Sequence, residues 1–394
     1  MTGTAVSASP TGGLVHGMGK VLVRPDWVAL SDEEVRAVLR RYEGHDGAAG
    51  SREAVVTWQS PRPMSAAGLV QAGGRSVFVK RHHVAVRTAD QLRVEHCFTN
   101  YLRSRGQLVP AVLRSVSGAT VVRDGDFVYE VLEQAVGVDR YRDAPSWSPF
   151  ISLGHARAAG RALARFHQAA ADFPLPPRAP GVLMNSAVIV AAADPLAELG
   201  RLLAARPGLS GALARRSLTE DFAHYLLPTI EKAAPLLRAL TPQWGHGDWH
   251  PSNLTWSSTS PSAVVAGVLD LGLANRTFAV HDLAVALERS TIDWLDMTET
   301  GHVAADLDAV DALVDGYEDV RPLDELESTA LAAVLPVVHL EYALSEVEYF
   351  AEVVGSDVNA DLACDAYLVG HARWFEGAAG SVLREHLCRR ARRR

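Results

Sequence analysis

The segment His246-Gly247-Asp248-Trp249-His250-Pro251-Ser252-Asn253 is more informative than any other part of this chain, and Val268-Leu269-Asp270-Leu271-Gly272 follows it closely. Together they place two carboxylates and an amide at a spacing that suits phosphoryl transfer from a nucleotide. In that reaction one carboxylate orients the attacking hydroxyl and accepts its proton. An amide and a second carboxylate hold the Mg²⁺ that bridges the phosphates. Asp248 fits the first role, and Asn253 and Asp270 fit the second.

The apolar run from Ala263 to Leu269 predicts a strand that ends at Asp270. The spacing H-G-D-x-x-x-x-N, with a strand and D-x-G soon after, resembles the aminoglycoside phosphotransferase and choline kinase family. That family shares the two-lobed fold of protein kinases. The resemblance implies an α+β fold, with a small antiparallel-sheet N-lobe and a large, mostly helical C-lobe.

The resemblance also implies roles for individual positions in the segment 246–253, which we call the catalytic loop. Asp248 becomes the catalytic base, and Asn253 and Asp270 become the ligands of Mg²⁺. Asp282 and His246 are implied to hold the loop in shape. The alternative is that these aspartates only cap turns in ordinary loops.

Only three lysines occur in the chain, Lys20, Lys80 and Lys232, and arginine is used at the other Lys or Arg positions. Lys80 ends the alternating run Ser76–Lys80, which follows the turn Ala72–Arg75 and predicts a strand. A compact ammonium on a strand is what the phosphates of ATP need in a kinase-like fold. We therefore predict that Lys80 binds the nucleotide. A solvated lysine at a strand end is the alternative.

A helix is predicted to begin at Thr88, which forms a capping box with Gln91. Glu95 lies on its apolar stripe, where an unpaired carboxylate would be costly. Lys80 on the preceding strand is an available cation, and His96 is a competing partner. The resemblance implies that Glu95 pairs with Lys80 and positions it on the nucleotide phosphates.

The strands Val55–Gln59 and Gly68–Gln71 are predicted to form a hairpin joined by Ser60–Ser65. The hairpin lacks the G-x-G-x-x-G of protein kinases. Members of the resembled family also depart from that pattern and use hydroxyls and backbone amides, which implies a nucleotide contact from Ser65. An ordinary loop stiffened by proline is the alternative.

Composition favours a globular enzyme of the cytoplasm. The 394 residues are 48% hydrophobic and 21% charged, which suits two sizeable lobes. The sequence shows no apolar run near the roughly 20 residues that span a bilayer, and no apolar signal core near its start. The three cysteines, Cys97, Cys364 and Cys388, are scattered without metal spacing, as in a reducing compartment.

The boundary between the lobes is predicted where the apolar run Phe127–Leu132 passes into Glu133–Val138. The first part predicts the last strand of the small lobe, and the second part predicts the hinge. We assign residues 1–20 to a disordered N-terminus. Residues 21–134 are assigned to the nucleotide-binding N-lobe, which begins with an extra helix. Residues 135–394 are assigned to the C-lobe, which binds the acceptor and carries the catalytic residues.

Acidic residues are concentrated between Asp293 and Asp361, where 18 of them accompany one basic residue, Arg321. In the resembled family this region lines the acceptor pocket, and an acidic pocket attracts acceptors that carry amines. Four acidic residues are candidates for acceptor contact: Glu341, Glu348, Asp293 and Asp296. Other charges are predicted to be solvated, namely the helix face Asp306, Asp308, Asp311 and Asp315 and the arginine-rich end at residues 389–394.

The sequence therefore predicts a Mg²⁺-dependent phosphotransferase that moves the γ-phosphate of ATP or GTP to a hydroxyl of a small acceptor. The predicted acceptor is an aminoglycoside, an amino alcohol or a sugar, and the acidic region 293–361 favours a cationic one. No nucleic acid or membrane partner is expected. Two alternatives remain open, a kinase for a Ser or Thr of a peptide in natural-product biosynthesis and a nucleotide-binding pseudokinase subunit. The complete set of Lys80, Glu95, Asp248, Asn253 and Asp270 argues against the pseudokinase.

Overall fold

The protein is described by a computed structural model over residues 14–16, 21–42, 53–214, 216 and 218–392. The chain divides into two compact units, residues 1–84 with 112–134 and residues 85–111 with 135–394. The first unit is built on an antiparallel sheet and the second is mostly helical. This is the α+β composition that the sequence predicts. Of the predicted disordered segment, Val15–His16 forms a short strand, and residues 1–13 and 17–20 lie outside the described residues.

The elements follow in chain order. The strands are β1 (Val15–His16), β2 (Leu22–Val23), β3 (Val55–Gln59), β4 (Ala66–Ala72), β5 (Arg75–His83), β6 (Val122–Asp124), β7 (Phe127–Glu133), β8 (Gln243–Gly245), β9 (Leu254–Trp256), β10 (Val265–Val268) and β11 (Asn275–Thr277). The α-helices are α1 (Asp32–Leu39), α2 (Ala89–Ser104), α3 (Leu153–Ala170), α4 (Pro195–Ala205), α5 (Pro207–Ala214), α6 (Leu218–Asp221), α7 (Leu227–Arg238), α8 (Ala279–Thr291), α9 (Trp294–Thr300), α10 (Leu307–Glu318), α11 (Glu325–Val334), α12 (Leu340–Glu348), α13 (Asp357–Leu362), α14 (Gly370–Glu376) and α15 (Ala378–Ala391). Single 3-10 turns occur at Arg40–Tyr42, Pro251–Asn253 and Leu335–Val337, and π-helical turns at Phe222–Leu226, Tyr349–Val354 and Ala363–Val369.

The sheet of the first unit has the strand order β3-β4-β5-β7-β6, and every neighbouring pair is antiparallel. Side chains alternate between the two faces of a strand. Val77 and Val79 of β5 are buried on one face, in the core cluster that also contains Val35 and Val38 of α1. Lys80 therefore lies on the opposite face. The predicted hairpin β3–β4, its loop and the extra helix α1 are all present.

The predicted helix after β5 is confirmed as α2, with the capping box at Thr88. Its residue Phe98 is fully buried, with its ring 5.8 Å from that of Phe166, 4.9 Å from Phe173 and 5.0 Å from Trp244. This aromatic packing explains why residues 85–111 belong to the larger unit, whereas the sequence assigned them to the N-lobe. A second division between the two units falls after Gln134.

Helices α3 and α10 form the closest helix pair of the second unit. A Cβ at Gly160 would stand 2.0 Å from the carbonyl oxygen of Leu313, and one at Gly316 would stand 2.0 Å from that of Arg157. Both distances are far below van der Waals contact, so only glycine permits this approach. The pair supports the start of α8, because His167 of α3 reaches a buried aspartate there.

The acidic face of α10 matches the predicted solvated surface only in part, because Asp306 and Asp308 are exposed whereas Asp311 and Asp315 are half-buried in ion pairs. Arg390 of α15 donates to Asp311 at 3.0 Å, to Glu318 at 2.8 Å and also to Asp315. His386, one turn earlier, lies 2.8 Å from Asp311. The C-terminal helix is therefore held on α10 by ion pairs, which the sequence could not show because the two segments are far apart in the chain. Arg393 and Arg394 lie outside the described residues.

One helical run in the described part of the chain, Glu325–Val354, is long and apolar enough to cross a membrane by length and composition, with a mean hydropathy of 1.4. Of its apolar window, 94% is buried inside the protein. The core helix of a soluble protein has the same character, so this run is weak evidence for a membrane span.

Candidate active site

The catalytic loop turns on Gly247, whose φ of +75° is left-handed. A Cβ there would stand 2.4 Å from the carbonyl oxygen of Leu273, so the turn requires glycine. The buried carboxylate of Asp282 accepts the backbone N–H groups of His246 and Gly247, each at 2.7 Å. His167 lies 2.9 Å from the same carboxylate. Asp282 therefore braces the loop, as the resemblance implied.

His246 joins the catalytic loop to the segment that carries the metal aspartate. Its Nε2 donates to the carbonyl of Leu269 at 2.8 Å, and its Nδ1 accepts the backbone N–H of Asp248 at 3.2 Å. One ring nitrogen donates and the other accepts, as in a neutral imidazole. The N–H of Leu269 donates to the carbonyl of Asn253 at 2.8 Å. These bonds hold Asp248, Asn253 and Asp270 at one end of the β9–β10 pair.

Three side chains surround the carboxylate of Asp248. Asn253 donates to Oδ2 at 3.0 Å, Arg289 of α8 donates to Oδ1, and Nε2 of His250 lies 3.4 Å from Oδ1. Burial by itself raises the pKa of this carboxyl. The charges of Arg289 and His250 outweigh it and hold the pKa of Asp248 well below its usual range. Asp248 is thus an ionised carboxylate in a fixed orientation, which suits a group that accepts a hydrogen bond from a hydroxyl and orients it.

The two predicted metal ligands offer one carboxylate and one amide oxygen. Asp270 is exposed and has a left-handed φ of +53°, and its Oδ1 accepts the N–H of Gly272 at 3.2 Å. The amide nitrogen of Asn253 is bound to Asp248, so its oxygen is the atom that can meet a cation. This donor set fits Mg²⁺, which takes few protein ligands and completes its shell with phosphates and water. Within the described ranges, no group of three or more His, Cys, Asp or Glu could hold a metal.

The predicted nucleotide residues are placed in the two units. Lys80 lies on β5 and Ser65 directly precedes β4 in the first unit, while Glu95 lies on α2 in the second. Their contacts with a nucleotide, and the pairing of Lys80 with Glu95, stay predictions. Glu95 is buried against two cations that the sequence did not connect to it. Arg178 donates to its Oε1, and Nε of Arg87 lies 3.2 Å from the same atom.

Two acidic residues that the sequence proposed for acceptor contact have structural roles. Glu341 accepts the backbone N–H groups of residues 188, 189 and 190 at 3.0, 2.7 and 3.2 Å, and also the hydroxyl of Ser186. Glu348 is bound by the guanidinium of Arg206, whose Nε donates at 2.7 Å. The prediction is wrong for both because helical spacing shows which residues share a face, but not which segment covers that face. Asp293 accepts the N–H of Asp296 at 3.3 Å and caps α9.

A buried group of charged and aromatic residues lies beside Asp248. We call it the Arg289 cluster, and its members are Trp147, Asp248, Glu288, Arg289, Tyr342 and Glu346. The guanidinium of Arg289 lies 4.8 Å from the ring centroid of Trp147 and 4.7 Å from that of Tyr342, within cation–π range. Its Nε is 3.8 Å from a carboxylate oxygen of Glu288. The sequence did not single out Arg289, although it lies seven residues after Asp282 on the same face of α8.

Glu288 and Glu346 are buried carboxyls, and among the described residues no lysine or arginine lies within hydrogen-bond distance of either. Glu288 is also 2.7 Å from Nδ1 of His371, a ring whose pKa burial and Arg289 lower well below the usual value. Oε2 of Glu346 has no hydrogen-bond partner among the described residues. Burial raises the pKa of Glu288 to about 6 and that of Glu346 to about 8. Asp248, Glu288 and Glu346 therefore all lie near Arg289, and Asp248 is also 3.4 Å from His250.

Comparison with known proteins decides the family. A model described as the phosphotransferase enzyme family (APH) matches residues 67–323, which is more than half of the chain. The chain belongs to this family. A homoserine kinase of Phenylobacterium zucineum (strain HLK1) is 29% identical over 196 residues, which are 50% of this chain and 52% of that kinase.

Solved structures of the phosphotransferase family share the fold. An aminoglycoside phosphotransferase of Alicyclobacillus acidocaldarius covers 93% of this chain and 98% of its own, with a TM-score of 0.52 and 18% identity. The amicoumacin kinase hAmiN, in complex with AMP-PNP, Ca²⁺ and Ami, covers 86% and 94% with a TM-score of 0.53 and 14% identity. At these identities the likeness concerns the fold. The predicted family and kinase-like fold are thereby confirmed, and this phosphotransferase is a kinase-like enzyme.

Glu346→Gln is expected to change how the phosphotransferase responds to pH. A carboxyl whose pKa rises from 4.5 to about 8 on folding stabilises the fold fully below pH 4.5. This stabilisation is lost as the pH rises through 8. Glutamine keeps the neutral shape at every pH. Thermal melts between pH 5 and 9 should therefore show that the melting temperature of the variant rises relative to that of the wild type, by several degrees near pH 8.5. Parallel melting curves across that range would contradict the buried, neutral carboxyl.

Proposed function

We propose that this phosphotransferase moves the γ-phosphate of ATP or GTP, bound with Mg²⁺, to a hydroxyl of a small acceptor that carries an amine. The strongest support is the carboxylate of Asp248, which is ionised and oriented by Asn253 and Arg289. It lies at the same strand end as Asp270. This is the arrangement that transfer to a hydroxyl requires, because such catalysis consists almost entirely of positioning and electrostatic stabilisation.

In the proposed reaction the acceptor hydroxyl donates a hydrogen bond to the carboxylate of Asp248. The hydroxyl oxygen forms a bond to the γ-phosphorus as the bond from that phosphorus to the bridging oxygen breaks. ADP or GDP leaves, and the hydroxyl proton passes to Asp248. Asn253 and Asp270 would hold Mg²⁺, which supplies neutralisation of the phosphate charge. Lys80 is proposed to bind the α- and β-phosphates, Glu95 to position it, and Ser65 to donate to a phosphate.

The Arg289 cluster supports an amine on the acceptor. Glu288, Glu346 and Asp248 outnumber Arg289, and an unpartnered oxygen of Glu346 lies in this buried group. An ammonium would pair with such a carboxyl and lower its pKa, because a nearby positive charge favours the ionised form. The ring faces of Trp147 and Tyr342 also attract cations. A neutral sugar would gain none of these interactions.

We also propose that the enzyme works in the cytoplasm, where nucleoside triphosphates are available. Its three cysteines are all free thiols, as a reducing compartment favours.

The test is an ADP- and GDP-release screen of aminoglycosides, amino alcohols, neutral sugars and Ser- or Thr-containing peptides. Turnover of amine-bearing small molecules is expected, with Glu346→Gln raising their KM about tenfold or more, since hydrogen bonds to charged groups contribute about 1.5–3 kcal/mol. Glu348→Gln, two residues along the same helix, is the matched control and should leave that KM unchanged. Turnover of only sugars or peptides would reject the amine acceptor, and no turnover with any class would favour a pseudokinase.

A further inference from the structure

Two buried guanidinium groups converge on one carbonyl oxygen just beyond the proposed metal aspartate. Arg87 donates to the carbonyl of Gly272 through Nη2 at 3.1 Å, and Arg178 donates to the same oxygen through Nη1 at 2.9 Å. Arg87 also binds the carbonyl of Leu183 at 3.1 Å, and Arg178 that of Ala274 at 3.0 Å. In each arginine a single nitrogen donates to both of its carbonyls, Nη2 in Arg87 and Nη1 in Arg178, so each nitrogen holds two carbonyls close together.

The backbone of Gly272 connects these arginines with Asp270. Its N–H donates to Oδ1 of Asp270 at 3.2 Å, while its carbonyl takes both guanidiniums. A Cβ at Gly272 would stand 3.0 Å from that Oδ1 and 3.5 Å from Nη2 of Arg87. The carboxylate and the guanidinium therefore approach the same small residue from nearby positions. Asp270 needs such support, since its left-handed φ of +53° is unfavourable for a residue with a side chain.

Other residues hold the two arginines in turn. Oε1 of Glu95 accepts from Arg178 and lies 3.2 Å from Nε of Arg87. Asn275 accepts the backbone N–H of Arg178 at 2.7 Å and donates to its carbonyl at 3.3 Å. Arg87, Glu95, Arg178 and Asn275 are all buried. The network is not fully satisfied, since Nε of Arg87 and Nε of Arg178 have no hydrogen-bond partner among the described residues. Its remaining hydrogen bonds are buried and charge-assisted, which favours one fixed geometry.

We propose that Arg87 and Arg178 are positioning residues for the metal ligand Asp270, and that Glu95 holds both of them. Glu95 then supports the metal site in addition to its proposed role of positioning Lys80. This inference rests on the proposed function, because it assigns Asp270 to Mg²⁺. Residues that orient a metal ligand are expected to change metal affinity about 10–100-fold when they are replaced.

The experiment measures binding of a non-hydrolysable ATP analogue by calorimetry, first in EDTA and then over a series of Mg²⁺ concentrations. Arg178→Met should raise the half-saturating Mg²⁺ concentration about tenfold or more and leave the affinity in EDTA within about twofold. Glu95→Gln should shift the Mg²⁺ requirement in the same direction. Lys80→Met should instead weaken binding in EDTA, because that role concerns the phosphates and not the metal.

Arg206→Met is the matched control, since Arg206 is also a buried arginine of the second unit and pairs with Glu348. It should lower the melting temperature and keep the wild-type Mg²⁺ dependence. If Arg178→Met lowers the melting temperature in the same way without moving the Mg²⁺ dependence, the network is only structural and the inference is wrong.

Arg178→Lys covers the case in which the methionine variant does not fold. It keeps the charge, but its single nitrogen cannot reproduce both the Nη1 bonds to the two carbonyls and the Nη2 bond to Glu95, so a smaller shift in the same direction is expected. No shift in this variant would also overturn the inference. A wild-type protein whose analogue binding ignores Mg²⁺ would refute the proposed function itself, and the inference with it.

Discussion

Asp248→Asn is expected to lower turnover by about a hundredfold or more, which is the usual contribution of a general base. Asparagine keeps the size of the side chain and an oxygen for Arg289, but it cannot accept the hydroxyl proton. The proposed metal ligands Asn253 and Asp270 remain, so the Kd of the Mg²⁺–nucleotide complex should change little. Steady-state kinetics with an active acceptor and calorimetry with the nucleotide measure the two effects separately.

The matched control is Asp306→Asn, which changes an aspartate that caps α10 by accepting the N–H of Ala309 at 3.0 Å. It should cost stability of about 1 kcal/mol at most and leave turnover intact. The Asp248 variant should also melt earlier than the wild type, because Arg289 is left as a buried charge without its carboxylate. Near-wild-type turnover in Asp248→Asn would remove Asp248 from the role of base.

Asp270→Gly is expected to abolish the Mg²⁺ dependence of nucleotide binding, since the only carboxylate of the proposed metal pair is gone. Glycine suits this position because it adopts the φ of +53° without strain. Relief of about 1 kcal/mol from the left-handed conformation opposes an entropic cost of about 0.5–1 kcal/mol for a new glycine. The melting temperature should therefore change little while metal-linked binding and turnover are lost.

Calorimetry with and without Mg²⁺ checks this result. Asp194→Gly, at the cap of α4, is the control and should keep the metal dependence of the wild type. If Asp270→Gly still binds nucleotide more tightly with Mg²⁺ than without it, by the wild-type factor, the metal lies elsewhere. A large drop in melting temperature would show instead that the carboxylate holds the fold.

Local sequence patterns predicted the elements that carry the site. The capping box at Thr88 begins α2, and the apolar run before Asp270 forms β10. The catalytic loop was recognisable because its residues are close in sequence and each performs a separate chemical task. The structure then shows that hydrogen bonds from His246 and Asp282 hold these residues in place.

The partners of charged residues were predicted less well. The sequence proposed Glu341 and Glu348 for the acceptor, but both carboxylates are used by residues more than a hundred positions away. Glu346, on the same helix, instead joins the Arg289 cluster. For Glu95 the sequence proposed Lys80, and that pairing stays a prediction. The structure adds Arg178, which comes from a distant loop and which the sequence did not connect to Glu95.

The sequence by itself therefore determined the fold family, the catalytic loop and the order of its elements, because these depend on spacing within short segments. Only the tertiary structure decided which cations meet Asp248 and Glu95, and which acidic residues stay without a full partner. Those pairings depend on which distant segments pack together. Burial then sets their electrostatics, since it makes an uncompensated charge costly and raises the pKa of Glu346 to about 8.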